Sequence, residues 1–175
     1  MIALVVALGG LAFGLPALNH MLPSDRAVPT DRPYRIGGGV TVVPPPGARI
    51  DVTETRPTAT SGTVLFRLGP VRYLVSVQPF DGTLQSAVLR LRQRITGTSG
   101  YQVTGTELTV ATAGGLAGIQ GGYSGPGRGG RYAVFVADGR TIEVTVSGAD
   151  LDLGRTLPAI DASTRTLRYA PERAG

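Results

Sequence analysis

Apolar and polar residues along this chain follow a two-residue period for most of its length and a helical period in two places. Between residues 141 and 147, Ile142, Val144 and Val146 alternate with Thr141, Glu143 and Thr145, the pattern of a strand buried on one face. Similar β-rich runs occupy residues 40–43, 48–52, 63–68, 72–78, 106–110, 116–123 and 131–137, and a short one follows at 166–169. Two pairs of runs are joined by turn signals: Gly69-Pro70-Val71 and Asp138-Gly139, which predict two hairpins. The first helical stretch starts after Thr83 as N-cap. Leu84, Val88, Leu91 and Ile95 then fall on one stripe, Arg90, Gln93 and Arg94 lie opposite, and Gly97 and Gly100 stop it. A second helix is expected behind Asp150, from Leu151 to about Ser163, with Leu153, Leu157 and Ile160 inward and Pro158 bending or breaking it. This order predicts an α+β fold: a twisted antiparallel sheet of about 7–9 strands with two helices packed on it.

The N-terminus has a different pattern. From Ile2 to Leu18 the chain is apolar, weakened as a helix only by Gly9, Gly10, Gly14 and Pro16. A helix over this run covers about 25 Å, and one extended to Leu22 about 31 Å, enough for the hydrocarbon layer. It has no polar face with which to sit as an ordinary core helix. Ile2, Leu4, Val5, Val6, Leu8, Leu11, Phe13, Leu15, Leu18 and Leu22 are therefore expected to contact membrane lipid. A cleaved signal peptide is the alternative, but Leu15-Pro16-Ala17 places a large residue where a small one is needed. Arg26, Arg32 and Arg35 follow the run, and the positive-inside rule alone would keep that side cytoplasmic. The outside placement therefore assumes a basic stretch upstream in the full-length protein. The expected organisation is a transmembrane signal-anchor over 1–22, a Pro-rich linker over 23–33, one domain over 34–170 and a tail over 171–175. The protein is expected in the cell membrane, single-pass, with its domain outside the cytoplasm.

Composition narrows the chemistry. The chain has no cysteine, and its one histidine, His20, lies in the N-terminal segment. Thiol chemistry and His-based catalysis in the domain are thereby excluded. All 17 basic residues are arginine, the net charge is +5 and the pI is about 10.2. These arginines, among them Arg49, Arg56, Arg67, Arg72, Arg140 and Arg155, are scattered and form no dense run, so no nucleic-acid partner is expected.

A domain opening Tyr34-Arg35-Ile36, then Val40-Thr41-Val42-Val43-Pro44-Pro45-Pro46-Gly47, resembles the PsbP/Mog1-like fold, especially its bacterial, often actinobacterial, cell-envelope members. The following hairpin, the helix over 84–95, and the late run from Val134 through Asp138-Gly139 to Val146 before a closing helix extend the resemblance across residues 34–169. Members usually carry a tryptophan after the Pro-Gly, where this chain has Ala48-Arg49. The resemblance implies a mostly non-catalytic domain with a role in assembly or binding.

Motifs that could contradict this reading are better explained structurally. Gly125-Pro126-Gly127-Arg128-Gly129-Gly130 spells a dinucleotide fingerprint, but a strand and not a helix is expected after it. Asp150 and Asp152 suit the start of a helix better than a calcium loop. Asp51 with Glu54, and Asp138 with Glu143, are the only carboxylate pairs worth weighing as acid and base. No catalytic, cofactor or metal residue is assigned and no enzyme is expected. Arg90 and Arg94, one turn apart, are the candidate partner face. The expected function is a membrane-anchored extracytoplasmic binding or assembly module, with an envelope protein or a small apolar ligand as partner. Two alternatives stand beside it: an accessory subunit of a membrane complex, for which Gly10 and Gly14 have the spacing of helix-packing glycines, or a protein secreted after cleavage.

Overall fold

The computed structural model describes residues 25–171. The expected anchor over 1–22, and all of the expected tail except Pro171, lie outside them. The strands are β1 (Asp25–Ala27), β2 (Tyr34–Gly37), β3 (Val40–Val42), β4 (Arg49–Asp51), β5 (Arg56–Pro57), β6 (Gly62–Leu68) and β7 (Val71–Pro79). After helix α1 (Leu84–Thr96) come β8 (Gln102–Ala111), β9 (Ala117–Gly125), β10 (Arg128–Ala137) and β11 (Arg140–Gly148). Helix α2 (Asp150–Arg165) and β12 (Arg168–Tyr169) follow. The fold is α+β, as the periodicities predict. A nine-stranded antiparallel sheet runs β1-β4-β6-β7-β11-β10-β9-β8, with β5 beside β6. A separate three-stranded sheet, β12-β3-β2, was not anticipated.

Both hairpin signals hold. Gly69 takes φ 58 ahead of Pro70, as the first central position of a type II′ turn requires. Asp138 at φ 43 and Gly139 at φ 68 make the β10–β11 turn, where both central residues must be left-handed. The Thr83 hydroxyl accepts the Ser86 amide at 3.2 Å, capping α1 as expected. The cap of α2 is Ala149, with no side-chain bond, so Asp150 and Asp152 lie inside its first turn and act on the helix dipole. Pro158 does not break α2, which continues to Arg165. Within the expected linker, Asp25–Ala27 is a strand paired with β4, and Val28 is buried. A Pro-rich segment can still supply an edge strand, because the prolines at 23, 29 and 33 flank the paired residues.

The alternation of β7, β10 and β11 divides the sheet into two dry faces. Val75, Val77, Ile142, Val144, Phe66 and Phe135 point toward α2 and the small sheet, where they meet Ile36, Val42, Ile160 and Leu167. On the opposite face Tyr123, Tyr132 and Val134 receive Ala87, Val88 and Leu91 of α1. The two helices therefore share strand β10 from opposite sides.

What lets β10 carry large rings on both faces is the glycine content of β9. Phe135 lies directly opposite Gly118, Tyr132 opposite Gly121, and Tyr123 of β9 opposite Gly130 of β10. A Cβ on Gly118 would stand 2.4 Å from the Phe135 ring, and one on Gly121 would stand 2.4 Å from the Tyr132 hydroxyl. Each ring lies across its neighbour's bare backbone, which compensates the weak strand propensity of glycine.

Gly118→Ala should therefore lower the unfolding free energy by about 1–3 kcal/mol through overpacking. Gly154, in α2 with open space around it, is the control of opposite sign: Gly154→Ala should add about 0.5–1 kcal/mol. Urea midpoints of the two variants check both expectations.

Candidate functional site

Chemistry on the α1 face begins with the arginines of the helix. Arg90 sits over the Phe80 ring, 5.3 Å from its centroid. Arg94 reaches back to the sheet and pairs with Glu143 on β11. The expected partner face is thus present as a pair of neighbouring cations, but each is engaged within the domain. Arg92 approaches Glu107 at 3.7 Å, and Glu107 in turn accepts the Tyr132 hydroxyl. Burial, followed by the Glu107 hydrogen bond and charge, pushes the Tyr132 hydroxyl far above the ordinary phenol value. The Tyr132 hydroxyl is committed as a donor to Glu107.

The carboxylates weighed from sequence do not form acid–base pairs. Asp51 is buried and accepts the Thr53 hydroxyl and amide at 2.5 and 3.0 Å, and Arg67 at 3.1 Å. Glu54 pairs with Arg72 at 2.7 Å. Asp138 is held in the β10–β11 turn, whereas Glu143 is bound to Arg94. The glycine-rich run at 125–130 is the tight β9–β10 turn followed by a strand, which is why it lacks the helix N-terminus a pyrophosphate needs. Among the described residues, no cluster of three metal-ligating side chains forms.

The buried hydroxyls of Tyr73 and Tyr123 are likewise structural. Tyr73 meets Thr164 at 3.2 Å and Tyr123 donates to the Val146 carbonyl at 2.8 Å. Burial raises both phenols above their ordinary value.

At the C-terminal end of α1 lies an open groove of about 320 Å³ lined by Arg94, Ile95, Tyr101 and Thr145. A more enclosed cavity of about 210 Å³ lies under α2, between its last turns and the ends of β8 and β9. Its wall includes Phe135, Val110, Gln120, Asp161, Thr164 and Arg165. Phe135, laid across Gly118, and Val110 of β8 supply its apolar side. Arg131, on β10, pairs with Asp161 at one side. On another side the 112–116 turn is tied to the helix, the Ala113 amide donating to the Arg165 carbonyl at 2.7 Å. The wall residues come from four separate elements, so nothing local in the sequence marks the site.

No protein-family model and no curated protein matches the chain. Among solved structures, cyanobacterial PsbP from Synechocystis sp. PCC 6803 superposes with a TM-score of 0.58 at 14% identity, covering 82% of this chain and 95% of that one. LpqN, involved in cell envelope biogenesis of Mycobacterium tuberculosis, gives a TM-score of 0.55 at 13% identity, with 80% and 91% covered. PA94 from Pseudomonas aeruginosa, a protein of unknown function, gives 0.54 at 18% identity, with 77% and 99% covered. The chain has the PsbP/Mog1-like fold. At these identities the likeness is one of fold, and it spans nearly the whole of each compared structure.

The Asp51 cluster gives a pH prediction. Hydrogen bonds from Thr53, then Arg67, hold its carboxyl below the ordinary value of 3.8 in spite of burial. A depressed folded-state pKa means its contribution is complete above pH 3.8 and is lost as the pH falls through the lower folded value. Asp51→Asn should be less stable than wild type at neutral pH, and the gap should close on acidification below that value. Urea unfolding from roughly pH 6 down to pH 2 checks it.

Proposed function

We propose that this protein is a non-catalytic binding or assembly module of the cell envelope, tethered to the membrane by residues 2–22 with its domain outside the cytoplasm. The observation that carries the reading is the pairing of this fold, shared with a cell-envelope biogenesis protein over 80% of the chain, with an N-terminal run too uniformly apolar for a soluble core. The electrostatics agree. Asp51, Glu54 and Glu143 each face an arginine, so they act as cross-braces between elements. Among the described residues no helix is long and apolar enough to cross a membrane, so the tether rests on the N-terminal sequence itself.

Fractionation and a topology reporter test the reading together. The full-length chain should stay with washed membranes and be released by detergent. A reporter fused after Gly175 should be active only on the outer side. Full-length protein in the detergent-free wash, or reporter activity confined to the cytoplasm, would sink the proposal.

A further inference from the structure

The cavity under α2 holds more chemistry than packing alone requires. Thr164 donates to the Ile160 carbonyl at 2.9 Å and also meets Tyr73, and Thr112 accepts the Leu116 amide at 3.1 Å, so both wall hydroxyls are engaged. Asp161 is neutralised by Arg131. Two polar groups are left over. The Gln120 side chain makes no hydrogen bond among the described residues, and Arg165 forms no ion pair with any of them. The floor between them is apolar: Phe135 spread across Gly118, with Val110 alongside. Apolar surface with half-buried Gln120 on its wall and exposed Arg165 at its rim is the kind of mixed lining small-molecule sites use.

We propose that this cavity binds a small organic anion, its carboxylate on the Arg165 guanidinium and the Gln120 amide and its apolar body over Phe135 and Val110. A planar guanidinium is suited to that contact, since it meets both carboxylate oxygens at once. Size limits the ligand. A volume of about 210 Å³ equals the space of about seven waters, room for a compound of benzoate size and too little to bury a long acyl chain. The site deepens the binding-module reading above and rests on it for purpose, but not for evidence.

Benzoate is the probe, with benzyl alcohol as its uncharged counterpart, titrated into the isotopically labelled full chain in detergent. Benzoate should saturably shift the amide resonances of residues 110–112, 120 and 161–165, in the millimolar range expected for so small a ligand. Arg165→Gln should weaken it about fivefold, the scale of a charge-assisted bond open to water. Val110→Trp, which fills the cavity from an edge strand, should abolish the shifts while the spectrum elsewhere stays that of the folded domain. Absence of saturable shifts at these residues, or equal binding of benzyl alcohol, overturns the proposal. Either result leaves the tether reading standing, because topology is read by the reporter alone; a cytoplasmic reporter does the reverse.

Discussion

The contact between aromatic rings and bare glycine backbone across β9 and β10 is the constraint on which the rest of this domain depends. A sheet with a helix on each face needs one strand buried from both sides, and that strand is β10. Large side chains on both of its faces leave little room beside them. Glycines at 118, 121 and 130 supply it, so that Phe135, Tyr132 and Tyr123 lie flat against the neighbouring strand. The two helices then pack on opposite faces of that strand: α1 rests on the tyrosines, and α2 lies on the face that carries Phe135. Both faces of the core thus share one origin, the bare backbone opposite these rings.

This origin explains what could and could not be read in the sequence. Turns and caps were legible because their chemistry is local: Asp138-Gly139, Gly69-Pro70 and Thr83 each act within a few residues. The stripe Leu84, Val88, Leu91 and Ile95 was legible because a helix repeats its face. The β9 glycines were not, since a glycine's meaning here depends on the ring placed opposite it by pairing, and pairing is non-local. β1 escaped notice for a similar reason: Asp25–Ala27 has no strand propensity of its own and is ordered by β4. The small sheet needed β12 to return beside β3, a contact spanning most of the chain. Of the candidate site, Arg90 and Arg94 were placed correctly on α1, but their partners Phe80 and Glu143 lie on other elements. The cavity could not be inferred from any one residue, because its wall is assembled from β8, β9, β10 and α2.

Arginine serves this domain chiefly as an intramolecular connector. Arg67 joins β6 to Asp51 of β4, Arg72 joins β7 to Glu54, Arg94 joins α1 to β11, and Arg131 joins β10 to α2. Most of these pairs are partly open to water, where each contributes little by itself. Their value is in orientation: a planar guanidinium fixes direction as well as distance.

The outermost strand has a consequence for how the protein behaves at high density. β8 is 10 residues long and, among the described residues, has no neighbour on its outer side, the geometry that invites another molecule to extend the sheet. Its pairing with β9 is interrupted between Thr104 and Leu108, and Gly105 there turns to φ 71. The irregularity divides the exposed rim into two short pieces with Glu107 between them. A second copy would find only short stretches to align with, which disfavours extension of the sheet through this rim.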